Sequence, residues 1–411
     1  MLDAKKNKGT PQPYLGNSNV RWGEFDLADV PEMRFEPSEE DRYGLRPGDL
    51  VVCEGGEPGR CAIWNGPSGM KFQKALHRIR PRPLLDNYYL FSWFRHAART
   101  GQLDAHFTGT TIKHLTGKAV AELRVPLPPL AEQQAMVDVL RPLDDRIALL
   151  RETNATLEAI AQALFKSWFV DFDPVRAKSQ GLAPAGMDEA TAALFPGGFE
   201  ASEIGEVPHG WAVAPIGDVV ECVGGATPDT KDARYWSPAE HAWTTPKDLS
   251  GLASPVLLRT ERSISTPGLA RIGSGLLPVG TLLMSSRAPI GYLAIAQLPL
   301  AINQGYIAML PGSSLSPLYL LFWCRQNMEL IKARANGSTF MEISKKAFRP
   351  IPALVPPAQL LAAFEAVASP LFARIVENER QAVSLAELRD ALLPRLISGQ
   401  LRLPSTELEA A

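Results

Sequence analysis

The sequence predicts an α+β fold in which two similar mixed α/β domains are separated by two long helices forming an antiparallel coiled coil. Two observations lead to this prediction. The chain of 411 residues repeats itself once at an offset of about 230 residues, and each repeat ends in a long segment whose apolar residues follow a heptad pattern. A chain of this length is also expected to form more than one hydrophobic core.

The internal repeat rests on five matched anchors, of which the longest pairs YYLFSWFR at 88–95 with LYLLFWCR at 318–325. In chain order the anchors are Gly48-Asp49-Leu50 with Gly280-Thr281-Leu282, Gln73 with Gln304, Tyr89, Trp93 and Arg95 with Tyr319, Trp323 and Arg325, Gly109-Thr110-Thr111 with Gly337-Ser338-Thr339, and Pro128-Pro129 with Pro356-Pro357. A shared order with a nearly constant offset favours duplication over coincidence among common residues.

Each repeat has the same internal order. Short apolar runs punctuated by Gly and Pro, such as GDLVVCEGGEPGRCAIW and GTLLMSSRAPIGYLAIAQ, predict strands joined by tight turns. A Pro-rich stretch then leads into each helix, since proline suits the first helical turn. The predicted boundaries are a first domain at 1–126, a first helix at 127–169, a linker at 170–207, a second domain at 208–352, a second helix at 353–403 and a tail at 404–411.

The first domain is predicted to be short at its N-terminus. Residues at about 208–229 open the second repeat and have no counterpart before Met1. Either the true start lies upstream or the first domain lacks a strand, and a missing strand would expose a sheet edge. Whether the chain is active as written is left open by the sequence.

Both helical segments carry core-type residues at alternating spacings of four and three, as in a coiled coil. Arg389 is the least apolar member of either stripe. Pro142 and Pro370 occupy matching places early in the helices and are expected to kink or restart them. The stripes are Met136, Leu140, Leu143, Ile147, Leu150, Asn154, Leu157, Ala161, Leu164 and Trp168 in the first helix, and Phe364, Ala368, Leu371, Ile375, Asn378, Ala382, Leu385, Arg389, Leu392 and Leu396 in the second.

An antiparallel pairing of these stripes predicts its own register. The opposed pairs are Met136 with Leu396, Asn154 with Asn378, and Trp168 with Phe364. Two buried amides would fix the register, because any slip leaves each amide against aliphatic carbon with its hydrogen bonds unmade. The alternative is that each helix packs only on its own domain.

Such a helix pair would hold the two domains at a set distance. Its core spans about 50 Å at 1.5 Å per residue, which is on the order of 15 base pairs of duplex DNA. Two domains related by an approximate twofold axis would suit two short half-sites with unread bases between them.

The composition indicates a folded protein and gives no support of its own to nucleic-acid binding. Lys and Arg total 42 against 44 Asp and Glu, a formal net charge of −2, whereas DNA-binding proteins are usually basic. Clustered cations or basic partner subunits would resolve this difference. The four cysteines, Cys53, Cys61, Cys222 and Cys324, lack zinc-ligand spacing. With no signal peptide and no apolar run of membrane-spanning length, the chain is expected to be cytoplasmic.

Several segments resemble the specificity subunits of type I restriction–modification systems. The segment LPPLAEQ (127–133) followed by ALFKSWFVDFDPV (163–175) is similar to that family's central conserved region, and LLPRLISGQLRL (392–403) to its distal conserved region. PYLGNSNVRWGEFDL and RPGDLVVCEGGEPGRCAIW resemble a common class of its first target-recognition domain. The resemblance covers nearly the whole chain.

This resemblance implies two target-recognition domains that read a bipartite double-stranded DNA target and two conserved spacer helices. It also implies docking of modification (methyltransferase) subunits and restriction (translocase and nuclease) subunits, with S-adenosylmethionine, ATP and magnesium held by those partners. The chain itself is expected to be non-catalytic and without metal, since it has no phosphate-binding loop, no Gly-rich methyl-donor turn and no methyltransferase motif.

Candidate DNA contacts are the polar residues that recur in both repeats, because base edges are read by Arg, Lys, Asn and Gln and phosphates are bound by hydroxyl and cationic groups. The candidates are Arg60, Lys71, Gln73, Lys74, Thr110, Thr111, Lys113, Arg287, Asn303, Gln304, Ser338, Thr339, Lys345 and Lys346. Each could instead be a solvated surface residue, and the Thr-rich loops could be structural turns. For the whole chain, the alternatives are a two-domain protein-binding scaffold and an enzyme with its own catalytic site.

Overall fold

The computed structural model describes residues 8–109, 112–337 and 341–403. The chain forms two compact units. The first unit contains the residues up to 147 together with those from 384 onward, and the second unit contains residues 148–383.

The first unit consists of two small three-stranded sheets packed with helices. Its strands are β1 (Thr10–Leu15), β2 (Glu32–Phe35), β3 (Leu50–Cys53), β4 (Cys61–Ile63), β5 (Lys71–Phe72) and β6 (Leu76–Ile79). Its helices are α1 (Glu40–Tyr43), α2 (Asn87–Arg99), α3 (Gly117–Glu122) and the first part of α4 (Leu130–Phe169). The sheet orders are β2-β1-β5, with β1 and β5 parallel, and β4-β3-β6, which is antiparallel.

Local sequence explains how α2 is placed on its sheet. The Asp86 carboxylate caps the helix by accepting from the amides of Tyr88 and Tyr89 at 2.7 and 2.9 Å. Most residues of this helix are buried, and its aromatic residues pack with Leu50 and Val52 of β3 in one cluster. The same cluster reaches the start of α4, so this core joins the sheet to the long helix.

The second unit contains the remainder of α4 and a larger set of strands. Its further helices are α5 (Asp173–Ser179), α6 (Glu189–Ala193), α7 (Ile216–Val219), α8 (Pro246–Leu249), α9 (Thr266–Leu269), α10 (Pro317–Gln326), α11 (Met328–Ala333), α12 (Lys345–Phe348) and α13 (Ala358–Ile397), whose last part belongs to the first unit. Its strands are β7 (Phe199–Ser202), β8 (Gly205–Pro208), β9 (Ala212–Pro215), β10 (Cys222–Val223), β11 (His241–Thr244), β12 (Val256–Leu257), β13 (Arg262–Ile264), β14 (Leu282–Ser285), β15 (Leu293–Ala296), β16 (Ala301–Ile302), β17 (Tyr306–Met309) and β18 (Pro352–Val355). The sheet orders are β10-β17-β14-β15-β12, β13-β11-β16, β9-β18 and β7-β8.

The predicted duplication is present in the strand pairing of the two units. The order β4-β3-β6 of the first unit recurs as β15-β14-β17, and β2-β1-β5 recurs as β13-β11-β16 with the same parallel pair. The matched tyrosines make the same bond: the Tyr89 hydroxyl donates to the Pro126 carbonyl at 3.0 Å, and the Tyr319 hydroxyl donates to the Leu354 carbonyl at 2.9 Å. Each unit therefore contains one copy of the repeat.

The second unit has strands that the first unit lacks within its described residues. The strand β10 extends the sheet beyond β17, and β9 pairs with β18. In the first unit, β6 has β3 as its described neighbour, and no strand is formed at 123–127. The segment 170–207, predicted as a linker, is folded: it forms α5, α6 and most of the β7–β8 hairpin, and it buries Val175 and Phe195.

The helices α4 and α13 pack against each other in antiparallel directions within each unit, as predicted. In the first unit, Met136 packs in the apolar cluster that buries Leu396. In the second unit, the rings of Trp168 and Phe364 lie 6.4 Å apart. Both helices continue through Pro142 and Pro370, so these prolines do not restart the helices, and a kink at either of them stays a prediction.

The register layer at Asn154 and Asn378 is confirmed within the second unit. The Asn378 amide nitrogen Nδ2 donates to Asn154 Oδ1 at 2.8 Å, and the two residues are 1% and 2% exposed. The layer is larger than predicted, because Glu379 Oε1 accepts both from Asn154 Nδ2 and from the Ser254 hydroxyl, each at 2.9 Å.

Ion pairs connect the repeat-related helices α2 and α10 to α4. Arg95 of α2 pairs with Asp144 at 2.9 Å, and Arg389 of α13 pairs with the same carboxylate at 2.6 Å. In the second unit, the repeat-related Arg325 pairs with Glu158. Arg389, the least apolar member of the predicted stripe, is therefore at a helix–helix contact because it has a carboxylate partner there.

By length and composition, α13 is apolar enough to cross a membrane. This corrects the expectation that no apolar segment approaches that length. The helix instead contributes to the protein core, since Leu360, Phe364 and Ala368 are buried with α4 residues in the second unit. Asn378 is also buried in its hydrogen-bonded pair with Asn154.

Candidate nucleic-acid interface

Four loops of the first unit meet beyond one end of its strands, and we call residues 16–19, 54–60, 73–75 and the described part of 108–118 the first loop cluster. The Asn17 side chain donates to the Gly55 carbonyl at 2.8 Å. The amide of Glu54 donates to the Ala75 carbonyl at 3.0 Å, and the amide of Leu115 donates to the Glu54 carbonyl at 2.7 Å. These bonds tie loops from distant parts of the sequence into one surface.

The second unit builds the same surface, and we call residues 245–248, 286–292, 303–305 and the described part of 336–346 the second loop cluster. The amide of Ser286 donates to the Gly305 carbonyl at 2.8 Å, and the amide of Ile343 donates to the Ser286 carbonyl at 3.0 Å. These two bonds repeat those made through Glu54 in the first unit. The duplication therefore extends to the loops as well as to the strands.

A capped turn that follows β1 in the first unit is repeated after the matching strand β11 in the second unit. The Gly16 amide donates to Asn19 Oδ1 at 2.8 Å, and the Thr245 amide donates to Asp248 Oδ2 at 2.7 Å. In both cases a short polar side chain closes the turn by accepting from the backbone three residues earlier. This turn brings the end of the parallel strand pair into each loop cluster.

Most residues of the first unit that are predicted to contact DNA lie in its loop cluster, but they differ in exposure and in the partners that they already have. Lys74 and Lys113 are exposed and Gln73 is half-buried. Arg60 is 16% exposed, pairs with Glu57 at 3.1 Å and donates to the Asn17 carbonyl at 3.1 Å. Arg60 therefore holds two of the loops together, and its role in binding DNA stays a prediction.

The prediction that Lys71 contacts DNA is corrected by its position. Lys71 lies in β5, its side chain is 1% exposed, and its ammonium group is paired with Glu40. A buried ammonium needs such a partner, since an unpaired buried charge is costly. Lys71 therefore stabilises the sheet and offers no donor at the surface.

The predicted residues of the second unit also meet in its loop cluster. Asn303 accepts from the Gly305 amide at 2.9 Å, and Gln304 accepts from the Thr227 hydroxyl at 2.6 Å. Lys345 and Lys346 are exposed in the first turn of α12. Arg287 Nη1 lies 3.6 Å from a carboxylate oxygen of Glu342, so its charge is partly matched by an acid of another loop in the same cluster.

The predicted hydroxyl contacts Thr110, Thr111, Ser338 and Thr339 lie outside the described residues. The glycines before them, Gly109 and Gly337, have φ of 92° and 120°, a left-handed backbone that favours glycine. Both loops are closed in the same way. The Thr108 amide donates to the His114 carbonyl, and the Asn336 amide donates to the Glu342 carbonyl, each at 2.9 Å.

The match between Gln73 and Gln304 is wrong by one residue. The Gln73 amide donates to the Leu15 carbonyl at 3.0 Å, and the equivalent bond of the second unit is made by the Asn303 amide to the Thr244 carbonyl at 3.1 Å. Gln73 therefore corresponds to Asn303, and Lys74 to Gln304. Identity of side chains favoured the wrong alignment, whereas the hydrogen-bond ladder fixes the true one.

Residues 38–159 and 208–360 match the type I restriction modification DNA specificity domain, and together these two segments cover more than half of the chain. The chain belongs to this family. The first match includes most of α4 and most of the first loop cluster, and the second match includes the second loop cluster and ends in the first turn of α13.

Individual members of the specificity family are similar over large parts of the chain. The HindI specificity subunit of Haemophilus influenzae is 27% identical over 334 residues, which cover 71% of this chain and 72% of that protein. The MjaIX specificity subunit of Methanocaldococcus jannaschii is 35% identical over 191 residues, 46% of this chain and 44% of that protein. A solved S subunit from M. genitalium superposes with a TM-score of 0.49 at 16% identity, covering 96% of this chain and 91% of that chain.

The repeat also relates two lysines, Lys118 and Lys346, which follow capped helix starts in this specificity subunit family member. The hydroxyl of Thr116 caps α3 by accepting from Ala119, and the hydroxyl of Ser344 caps α12 by accepting from Ala347, each at 3.2 Å. Two residues beyond these caps lie Lys118 and Lys346. The Lys118 side chain is 86% exposed. Sequence reasoning missed Lys118, although the spacing from a Thr or Ser cap at an offset of about 228 could have shown it.

The thiols of this specificity-family chain are not placed for chemistry. All four cysteines are free and buried. Burial raises the pKa of each thiol, and that of Cys222 rises to about 11 although Arg349 and Lys345 oppose the shift. A raised pKa keeps a thiol protonated and unreactive at neutral pH. Within the described residues, no three His, Cys, Asp or Glu side chains are grouped so that they could hold a metal ion.

Proposed function

We propose that this protein is the DNA sequence-recognition subunit of a type I restriction–modification complex and that it reads a bipartite target, one half-site with each unit. The observation that carries the proposal is the duplicated loop cluster, built by the same backbone bonds in both units. Loops that converge on a rigid scaffold are where binding residues concentrate. Two equivalent surfaces suit two half-sites on the duplex.

The exposed polar groups of the two clusters support DNA as the ligand. Lys74, Lys113 and Lys118 in the first unit, and Lys345 and Lys346 in the second, offer cations that suit phosphate. The side-chain oxygen of Gln304 accepts from the Thr227 hydroxyl, which leaves the side-chain NH2 group to donate to a base edge. Local clustering of cations compensates for the slightly negative net charge of the whole chain.

We also propose that this chain binds partner subunits and that those partners perform the catalysis. The protein docks modification (methyltransferase) subunits and restriction (translocase and nuclease) subunits, and it performs no catalysis itself. S-adenosylmethionine, ATP and magnesium belong to those partners. The complex acts in the cytoplasm, where buried free thiols remain reduced.

Selection from a pool of randomised duplex DNA tests this function. The full chain is assembled with the methyltransferase subunit of its own system, and bound duplexes are sequenced. The expected result is a bipartite consensus with unread positions between its halves. Binding without any sequence preference would contradict the proposal and would favour the alternative, a two-domain scaffold for protein partners.

A further inference from the structure

One arginine of the second unit is held on an aromatic platform formed by Trp236 and Trp243. The guanidinium carbon of Arg262 lies 3.8 Å from the ring centroid of Trp236 and 5.2 Å from that of Trp243. The two rings meet edge to face with centroids 5.1 Å apart. Indole rings attract a guanidinium through their faces and fix its plane, while the N–H groups at its edge stay free to donate.

The platform is itself fixed by hydrogen bonds and burial. The indole nitrogen of Trp243 donates to the Ala226 carbonyl at 3.3 Å, and that of Trp236 donates to the Asp229 carbonyl at 3.0 Å. Trp243 is buried in a small cluster with Ile264. Because neither ring is free to rotate, Arg262 is oriented before any ligand arrives.

Arg262 makes no ion pair with any residue that the structure describes, and its side chain is exposed. The neighbouring carboxylates have other partners. Glu261 pairs with Lys247 at 2.8 Å, and Asp248 accepts from the amides of Thr245 and Glu261, each at 2.7 Å. The charge and the donor edge of Arg262 therefore remain available to a ligand.

Strand register places Arg262 at the edge of the second loop cluster. In the β11–β13 pair, Arg262 lies opposite Trp243, and Thr245 of the cluster follows two residues after Trp243. On the other side of β11, the parallel strand β16 ends opposite Thr244, just before Asn303 of the cluster. The Ala226 carbonyl that holds Trp243 also adjoins Thr227, the partner of Gln304 in the cluster. The platform and the cluster therefore form one continuous surface.

We propose that Arg262 is a base-reading residue of the second unit and donates two hydrogen bonds to a guanine in the major groove of the target. This inference rests on the proposed function of the chain. The guanidinium fork matches O6 and N7 of guanine, and an arginine that is already planar and stacked loses less freedom on binding. In the first unit, the residue beside Tyr14 on the paired strand is Pro31, so this contact belongs to one half-site alone.

The conservative variant Arg262→Lys tests the proposal, because it keeps the charge and removes the fork. The full chain with its methyltransferase subunit selects from a randomised duplex pool, and preferences are compared with those of the unmodified chain. Arg271→Lys is the matched control, since Arg271 is also exposed and lies near a ring, at 5.9 Å from the Tyr235 centroid. Arg262→Lys is expected to lose roughly 10- to 100-fold of the preference for guanine at one position of one half-site.

The other half-site, the salt dependence of binding and the thermal midpoint should not change in Arg262→Lys, and Arg271→Lys should keep every preference. Retention of all base preferences by Arg262→Lys, or an equal loss at both half-sites, would overturn the assignment of Arg262. If the unmodified chain shows no sequence preference, the proposed function fails first, and the assignment of Arg262 falls with it.

Discussion

The Asn378 side chain donates a 2.8 Å hydrogen bond to the Asn154 side chain between α4 and α13 of the second unit. Glu379 accepts from the same Asn154 amide and from the Ser254 hydroxyl, which precedes β12. One polar layer therefore sets the register of the helix pair and also ties the adjoining domain to it. A slip of either helix would leave buried donors and acceptors unpaired.

If the two asparagines are paired, the losses of unfolding free energy caused by substituting each of them should not be additive. Asn154→Leu and Asn378→Leu are each expected to lower the free energy of unfolding by about 1–3 kcal/mol, because each leaves a buried amide without its partner. The double variant should lose clearly less than the sum of the two single losses. Chemical denaturation of the four proteins forms the double-mutant cycle, and strictly additive losses would contradict a direct Asn154–Asn378 bond.

Asp144 should stabilise the first unit in a pH-dependent way. Burial alone raises the pKa of this carboxyl, but Arg95 and Arg389 outweigh that effect and lower the pKa below its ordinary value. Its stabilisation is therefore complete above the unfolded-state value of about 4 and is lost as the pH falls through the lowered folded-state pKa. Asp144→Asn should cost about 3–5 kcal/mol near neutral pH, since it leaves the largely buried Arg95 without a carboxylate and leaves Arg389 with Asp390 alone.

The measurement is the unfolding free energy of both proteins from pH 7 down to acid. The difference between the unmodified chain and Asp144→Asn should shrink only below about pH 4. Asp145→Asn is the control, because Asp145 is the next residue of α4 and is exposed. An equal loss from Asp145→Asn would show that the effect is general to acidic residues of this helix.

Substitution of Lys71 and of Lys74 should have different effects on DNA binding, because one lysine is structural and the other is free to bind phosphate. The salt dependence of DNA affinity reports how many phosphates a protein neutralises, and the slope changes by about 1 for each phosphate that is no longer bound. Lys74→Met is expected to reduce the slope by this amount, because Lys74 is exposed in the first loop cluster. Lys71→Met should leave the slope unchanged, since its ammonium group is buried against Glu40. A reduced slope in Lys71→Met would contradict that position.

The four thiols should be silent toward a thiol reagent in the native protein. Burial raises the pKa of each thiol and removes it from solvent. Titration with an aromatic disulfide at pH 8 is expected to detect no fast-reacting thiol in the folded chain and four after denaturation. Fast reaction of Cys222, whose pKa is raised to about 11, would contradict its burial.

The long-range pairing of the helices was predictable because periodic patterns carry it. The heptad stripes place Asn154 and Asn378 in one layer from sequence alone, and the structure confirms the pair. The repeat was predictable for the same reason, since Tyr89 and Tyr319 recur with their surroundings and make the same bond.

The exposure of single side chains was not predictable, because it depends on partners that are distant in sequence. Lys71 is buried by an acid 31 residues earlier, Glu40, and Arg389 is held by Asp144 of the other helix. The order of residues in a turn was also missed: Gln73 corresponds to Asn303, which only the hydrogen bonds to Leu15 and Thr244 reveal.

Exchange of residues 208–352 for the matching segment of a relative with a different target tests most directly whether each unit reads its own half-site. The hybrid is expressed in a host together with the methyltransferase subunit, and methylated bases are mapped across the genome. We expect one half of the bipartite target to change to that of the relative, while the other half stays as it is in the unmodified chain. A change in both halves, or in neither, would contradict the independent reading of one half-site by each unit.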